Sequence, residues 1–207
     1  TRNTFSDTTS STRGIGAARR WIESEFNSIS ASCGGCLEVS AQRNLIEEGS
    51  SSRAVQDVSV VNVLAIQRGT RYPDRYVIMS GDIDSRNSSG SDGEGDAPGA
   101  NDNASGMAGV LEAARLLSAY DFPTSIIYVG LSGEEQGLWG GAHMASVAVE
   151  EGWDIVGVLN NDMIGNIEGV DGVIDNSTFR VFSEPTPVTE TDRERASRRF
   201  AGGEVDG

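Results

Sequence analysis

Acidic residues stand directly after several apolar segments of this sequence. In chain order they are Asp82 and Asp84, then Glu134 and Glu135, and then Asp162. Short, continuous apolar segments are typical of strands buried on both faces of a parallel sheet. Ligands of open α/β sheets bind at the carboxyl ends of the strands, so these side chains are predicted to meet at one edge. A set of carboxylates at one edge indicates a metal-dependent hydrolase.

Apolar periodicity along the chain predicts alternating helices and strands. The predicted helices cover residues 14–29, 106–119 and 138–150, with Ser105 as the N-cap of the second helix. The predicted strands cover residues 37–41, 58–66, 75–80, 125–131, 155–159 and 173–182. We therefore expect an α/β fold of three layers, with helices on both faces of a mixed, mostly parallel central sheet. A length of 207 residues fits one domain.

The formal net charge of −15 limits the kinds of partner. So acidic a chain repels the phosphates of nucleic acids and the anionic surfaces of membranes. No apolar segment approaches the length needed to span a bilayer, and the N-terminal residues contain no apolar targeting region. We expect neither nucleic acid nor a membrane as a partner.

The two cysteines, Cys33 and Cys36, form a CGGC pair. A redox dithiol would need a helix pattern after Cys36, and a zinc knuckle would need a second cysteine pair; the sequence has neither. A short-loop disulfide is therefore favoured over these two functions, with two free structural thiols as the alternative. Disulfides persist in oxidising compartments, so we expect a secreted or periplasmic protein.

Three motifs resemble those of a known family. In order along the chain they read APGANDNASG, SGEEQGLWGG and LNNDMIGN. They resemble the co-catalytic zinc aminopeptidases of peptidase clan MH, which include bacterial leucyl aminopeptidases, glutaminyl cyclases and glutamate carboxypeptidase relatives. The resemblance extends from about the first helix to at least Phe182. It implies one metallopeptidase-like domain over residues 1–207, which ends before the C-terminal part of the family domain.

The resemblance also implies a role for each acidic residue. Asp102 would bridge two zinc ions, Glu135 would bind one of them, and Asp162 would bind the other. Glu134 would be the general base that takes a proton from the attacking water, and Asp84 would orient the metal ligand two residues before it. A bridging carboxylate holds two cations about 3.5–4 Å apart, the spacing of two-metal hydrolases. The resemblance further implies a cis peptide bond after Asp102.

The chain departs from the family pattern at two metal ligands. The family motif S-G-H-x-D-S reads SGDIDS here, so that Asp82 replaces a histidine. The family's last ligand is a histidine far towards the C-terminus, and the only histidine here is His143, in a predicted helix where a structural role is favoured. We therefore expect one zinc ion instead of two, or another divalent cation such as Mg²⁺, Mn²⁺ or Ca²⁺, which prefer oxygen ligands.

These observations predict a two-metal hydrolase that removes N-terminal residues from peptides, with impaired activity in this chain. Its substrates would be peptides with a free N-terminus, and apolar surface left uncovered would favour self-association. A first alternative is a non-catalytic homologue that acts as a binding module with a vestigial metal site, which the missing histidines favour. A second alternative is a phosphoesterase with an all-carboxylate site, which the lack of basic residues near the motifs disfavours. Glu134, a base that binds no metal, favours the hydrolase.

Overall fold

The computed structural model describes residues 1–169, 171–178 and 181. Residues Thr1–Gly165 form one compact unit, and Asn166–Gly207 form a second. In the second unit, Glu168 and Ile174 form an isolated β-bridge. The prediction of a strand over residues 173–182 is wrong where it can be checked, because residues 173–178 pair only at Ile174, and residues 176–177 form a bend. The remainder of that prediction, apart from residue 181, lies outside the described residues. The single domain over residues 1–207 stays a prediction.

The first unit contains three α-helices and five strands among the residues described. In chain order they are α1 (Gly14–Ser32), β1 (Leu37–Ile46), β2 (Val58–Gln67), β3 (Tyr72–Asp82), α2 (Gly106–Leu117), β4 (Thr124–Leu131), α3 (Trp139–Glu150) and β5 (Asp154–Asn160). A turn of π-helix, Ala100–Ser105, leads into α2. The three α-helices and five strands were all predicted. Strands β1 and β3 are longer than the ranges predicted for them, residues 37–41 and 75–80.

The five strands form one sheet in the order β1-β2-β4-β3-β5. Strand β2 is antiparallel to β1 and to β4, whereas β3 is parallel to both β4 and β5. Four of the five strands therefore run in the same direction, and only β2 runs against them. The predicted mixed, mostly parallel sheet is confirmed.

Helices cover both faces of the sheet. Helices α1 and α2 pack on one face through Ile22, Phe26 and Val110, which join inward side chains of the strands such as Tyr128. On the other face, Met144 of α3 packs against a second apolar cluster. These two cores confirm the three-layer α/β/α architecture.

The start of α2 differs from its prediction. The side chain of Asn103, not that of Ser105, accepts the hydrogen bond from the Gly106 N–H, at 3.1 Å. Ser105 already has helical dihedral angles, φ −62° and ψ −46°, because the preceding turn continues into the helix. Its hydroxyl donates instead to the Asn101 carbonyl, at 2.6 Å.

A disulfide joins Cys33 to Cys36 at the end of α1, as favoured from the sequence. Gly34 and Gly35 make the short loop possible, because both have positive φ angles, of 76° and 90°. Among the described residues, no helix combines the length and the apolar character needed to cross a membrane.

Strand β5 lies at an edge of the sheet and exposes apolar side chains on both faces. Val156, Val158 and Leu159 are all more than half exposed. Such an edge favours pairing with another chain. Self-association of this protein stays a prediction.

Candidate active site

The candidate site lies where β3, β4 and β5 end. These strands are parallel and in register, with Asp82 opposite Leu131 and Ser80 opposite Asn160. The residues that follow each strand therefore emerge at the same edge of the sheet. The structure brings together all six predicted site residues at this edge, namely Asp82, Asp84, Asp102, Glu134, Glu135 and Asp162. Their individual roles stay predictions.

Two glycines allow the start of α2 to approach the strand ends. A Cβ atom on Gly81 would lie 2.9 Å from the backbone of Gly106. A Cβ atom on Gly106 would lie 2.2 Å from the Asn161 carbonyl oxygen. Because neither residue has a side chain, α2 begins directly against β3 and the segment after β5, and Asp102 is placed beside the other carboxylates.

The peptide bond between Asp102 and Asn103 is cis, as the resemblance implied. Asn103 is buried and donates hydrogen bonds to Asp82 Oδ2 at 3.0 Å and to the Asn161 carbonyl at 2.9 Å. Its Oδ1 accepts from the Met163 N–H at 3.2 Å, in addition to its bond with Gly106. Asn103 thus connects the end of β3, the start of α2 and the segment after β5.

Asp84 holds the loop that carries the two glutamates, residues 133–136, which we call the glutamate loop. Its Oδ1 accepts from the N–H groups of Gly133 at 2.9 Å and Glu134 at 3.1 Å. Its Oδ2 accepts from the N–H of Glu135 at 3.2 Å. Asp84 is only 1% exposed, and burial raises its pKa, while the hydrogen bonds from the N–H groups of Glu134 and Glu135 oppose that rise because they favour the charged carboxylate. The orienting role toward Asp82 that the resemblance implied stays a prediction, since these three hydrogen bonds hold the glutamate loop.

The two glutamates have different neighbours. Glu135 forms an ion pair with Arg86, at 2.7 Å between Oε2 and Nε, and its side chain is 11% exposed. Its carbonyl oxygen accepts a hydrogen bond from Arg53 at 2.9 Å. Glu134 is half-buried, and no hydrogen bond or ion pair of its carboxylate is found among the described residues. One glutamate is therefore held by a cation of the protein, whereas the carboxylate of the other has no partner among the described residues.

Burial and mutual repulsion raise the pKa values of most of these carboxyl groups. Burial raises the pKa of Asp82 to about 7; repulsion from Asp84, Glu134 and Asp162 adds to this, and the hydrogen bond from Asn103 opposes it. The pKa values of Glu134, Glu135 and Asp162 are also raised, first by burial and then by neighbouring carboxylates. The site therefore concentrates negative charge that a bound cation would neutralise.

The donor set suits a divalent cation in type and in charge. All four predicted ligands, Asp82, Asp102, Glu135 and Asp162, offer carboxylate oxygens, which Mg²⁺, Mn²⁺ and Ca²⁺ prefer and Zn²⁺ accepts. In the described part of the chain, no three His, Cys, Asp or Glu side chains converge closely enough to hold one ion. Asp82 is turned to Asn103 and Glu135 to Arg86. Cation binding would therefore require these two side chains to change partners.

Several polar residues at this edge were missed by sequence reasoning. They are Arg2, Thr4, Arg86, Asn103 and Gln136. They lie in loops and turns, where no apolar periodicity marks which side chains point inward. Asn103 and Gln136 had a signal, because each directly follows a predicted metal ligand within one of the motifs.

Comparison with known proteins identifies the family. The model of peptidase family M28 matches residues 62–185, which is more than half of the chain. The chain therefore belongs to peptidase family M28. A curated relative from Pyricularia oryzae, named "Probable zinc metalloprotease", is 42% identical over 207 residues, covering 100% of this chain and 41% of that protein. The chain spans between 41% and 48% of the length of the curated relatives that it matches.

Solved structures share the fold. The crystal structure of Macrostomum lignano glutaminyl cyclase superposes with a TM-score of 0.62 at 16% identity, covering 90% of this chain and 54% of that one. The Legionella pneumophila LapA aminopeptidase gives a TM-score of 0.51 at 22% identity, covering 76% of this chain and 37% of that one. At such identities these two structures support the fold alone.

Proposed function

We propose that this chain carries the catalytic site of a metal-dependent aminopeptidase, which removes N-terminal residues from peptides. The observation that best supports the proposal is the glutamate loop. Asp84 fixes Glu134 and Glu135 side by side, at the same edge as Asp82, Asp102 and Asp162. A non-catalytic binding module would have no need for a fixed, half-buried glutamate without a partner. Membership of the peptidase family supports the same function.

The predicted ligands Asp82, Asp102, Glu135 and Asp162 would hold the cation. The names of the curated relatives favour zinc, and the all-oxygen donor set also suits Mn²⁺ or Mg²⁺. When bound, such a cation acts as a Lewis acid toward the peptide carbonyl and lowers the pKa of water. The protein contributes the placement of the ligands.

Glu134 would act as the general base. Its pKa is raised by burial and by Glu135, so its proton affinity is closer to that needed at neutral pH. Its carboxylate would take a proton from the attacking water and deliver that proton to the nitrogen of the leaving amine. Asp84 keeps the backbone of Glu134 fixed during both transfers.

The charge of the site suits a substrate with a free N-terminus. Six carboxylates lie at this edge, and the whole chain has a formal net charge of −15. The ammonium group of a peptide is attracted to such an edge, whereas polyanions are repelled. We propose peptides as substrates on this ground, and an exported location on the ground of the disulfide.

The test is hydrolysis of leucine p-nitroanilide after loading with Zn²⁺, Mn²⁺, Mg²⁺ or Ca²⁺ in turn. We expect turnover with at least one cation, and a loss of about 100-fold or more in Glu134→Gln, as for the removal of a general base. Glu48→Gln, at an exposed loop position, is the matched control and should keep full activity. Metal and peptide binding without turnover under any loading would contradict the proposal and favour the binding-module alternative.

A further inference from the structure

The N-terminal residues 2–6, which we call the N-terminal clamp, are all buried or half-buried although most of them are polar. Asn3 and Thr4 have no exposed surface, and Ser6 is nearly buried. The Ser6 hydroxyl accepts a hydrogen bond from the Ile15 N–H at 2.8 Å, which fixes the clamp to the start of α1. Burying polar groups costs free energy unless they form hydrogen bonds. The hydrogen-bond partners of these side chains therefore show which parts of the protein the clamp holds together.

Arg2 connects the clamp to two loops of the candidate site. Its guanidinium donates to the carbonyl of Ile83 at 2.9 Å and to those of Pro98 and Gly99, each at 2.8 Å. Ile83 lies between two predicted site residues, and Gly99 immediately precedes the turn that carries Asp102. Burial lowers the pKa of Arg2, and the nearby Asp84 and Asp102 oppose that effect. Arg2 therefore holds two loops together and places positive charge beside the carboxylates.

Thr4 connects the clamp to the glutamate loop. Its hydroxyl donates to Asp84 Oδ2 at 3.0 Å and also lies against the side-chain oxygen of Gln136. Gln136 in turn donates to the Gly90 carbonyl at 2.8 Å, the same oxygen that receives a hydrogen bond from Asn3 at 2.9 Å. The hydroxyl thus restrains the carboxylate that receives the three N–H groups of the glutamate loop.

From these contacts we infer that the N-terminal clamp is part of the site, with Thr4 and Arg2 as positioning residues for Glu134 and Glu135. Thr4 fixes the rotation of the Asp84 carboxylate, and Asp84 then fixes the loop. The inferred effect on catalysis rests on the proposed function, whereas the inferred effect on the loop does not. The change Thr4→Val replaces the hydroxyl by a methyl group of similar size, so it tests the hydrogen bonds while the side chain keeps its shape.

Hydrogen exchange tests the effect on the loop. In Thr4→Val, the amides of Gly133, Glu134 and Glu135 should exchange about tenfold faster, which corresponds to the loss of one ordinary hydrogen bond. Thr4→Ser keeps the hydroxyl and should restore most of the protection. Thr9→Val makes the same change at an exposed position nearby and should leave these amides unchanged. Equal exchange in Thr4→Val and Thr9→Val would overturn the inference.

Kinetics test the effect on catalysis. Thr4→Val should lower kcat for leucine p-nitroanilide with little change in KM, and Thr4→Ser should recover it. Accelerated exchange with unchanged kcat would overturn the catalytic part of the inference. If the wild-type chain shows no turnover, the proposed function fails, while the exchange experiment still decides whether the clamp positions the loop.

A second variant keeps the inference testable if Thr4→Val does not fold. Arg2→Lys preserves the charge but cannot donate to three carbonyls in the same geometry. We expect faster exchange at the Ala104 amide, which donates to the Gly99 carbonyl that Arg2 holds. Unchanged exchange at Ala104 would overturn the role given to Arg2.

Discussion

Two segments follow parallel strands at the same edge of the sheet, and they are held in different ways. The glutamate loop follows β4, and its backbone N–H groups point at one buried carboxylate, Asp84. Residues 161–165 follow β5 and carry Asp162, and two neutral amide side chains hold them. Asn103 contacts Asn161 and Met163, and Asn101 accepts from the Gly165 N–H at 2.9 Å.

The difference matters for a site that concentrates negative charge. A carboxylate forms stronger hydrogen bonds to N–H groups than a neutral amide does, so it fixes a loop more firmly. It also adds a buried charge close to Glu134, and this contributes to the raised pKa of Glu134. The amides beside β5 add no charge, and the segment that they hold stays exposed. The glutamate loop should therefore be the more rigid segment and the more sensitive to a single change.

Asp84→Asn should have the largest effect, because it removes the charge and replaces one acceptor oxygen by a donor. At least one backbone N–H of the glutamate loop would then face another N–H group in a buried position. We expect a loss of about 3 kcal/mol in the free energy of unfolding, measured by urea denaturation. Displacement of Glu134 should also lower kcat/KM by about 100-fold.

Asp96→Asn is the matched control, since Asp96 is exposed and lies, like Asp84, in the segment between β3 and the π-helical turn. It should change the free energy of unfolding by less than about 0.5 kcal/mol. Equal stability of Asp84→Asn and Asp96→Asn would show that the buried carboxylate is not what fixes the glutamate loop.

The sequence predicted the site residues that directly follow strands, but missed several that lie in loops and turns. Asp82, Asp84, Glu134 and Asp162 were found because each follows an apolar segment, and parallel strands place such residues at one edge. Thr4, Arg2 and Asn103 were missed because their partners lie far along the chain and no periodicity marks them. Strand β1 extends to Ile46, beyond its predicted end at Ala41, because pairing with β2 continues through polar residues. The end of β1 is therefore set by its pairing with β2 and not by its own apolar pattern.

Asn103→Ala tests the segment after β5 and should have a smaller effect. The change removes two donated and two accepted hydrogen bonds, but the segment that it releases is partly exposed and can bond to water. We expect a loss of about 2 kcal/mol in the free energy of unfolding. Hydrogen exchange should accelerate at Met163 and Gly106 and stay unchanged in the glutamate loop.

The exposed Asn27 of α1 supplies the control for this change, because Asn27→Ala removes an asparagine from a helix surface. It should be neutral or slightly stabilising, since alanine favours helix. Faster exchange of the glutamate loop in Asn103→Ala would contradict the view that the two segments are held independently.

Asp82→His should have the smallest effect on stability and a specific effect on metal preference. Asp82 is the residue at which this chain departs from the family pattern, and Asn103 donates to it. A neutral imidazole would add no charge among the carboxylates, and its one unprotonated nitrogen would supply the ligand that zinc favours instead of accepting the hydrogen bond from Asn103. We expect calorimetry to show about tenfold tighter zinc binding, or about 1.4 kcal/mol, with weaker Mg²⁺ and Mn²⁺ binding.

Asp121→His places the same residue at an exposed position away from the site and should leave zinc affinity unchanged. If Asp82→His bound zinc no more tightly than Asp121→His, Asp82 would not be a metal ligand, and the cation would have to depend on Asp102, Glu135 and Asp162.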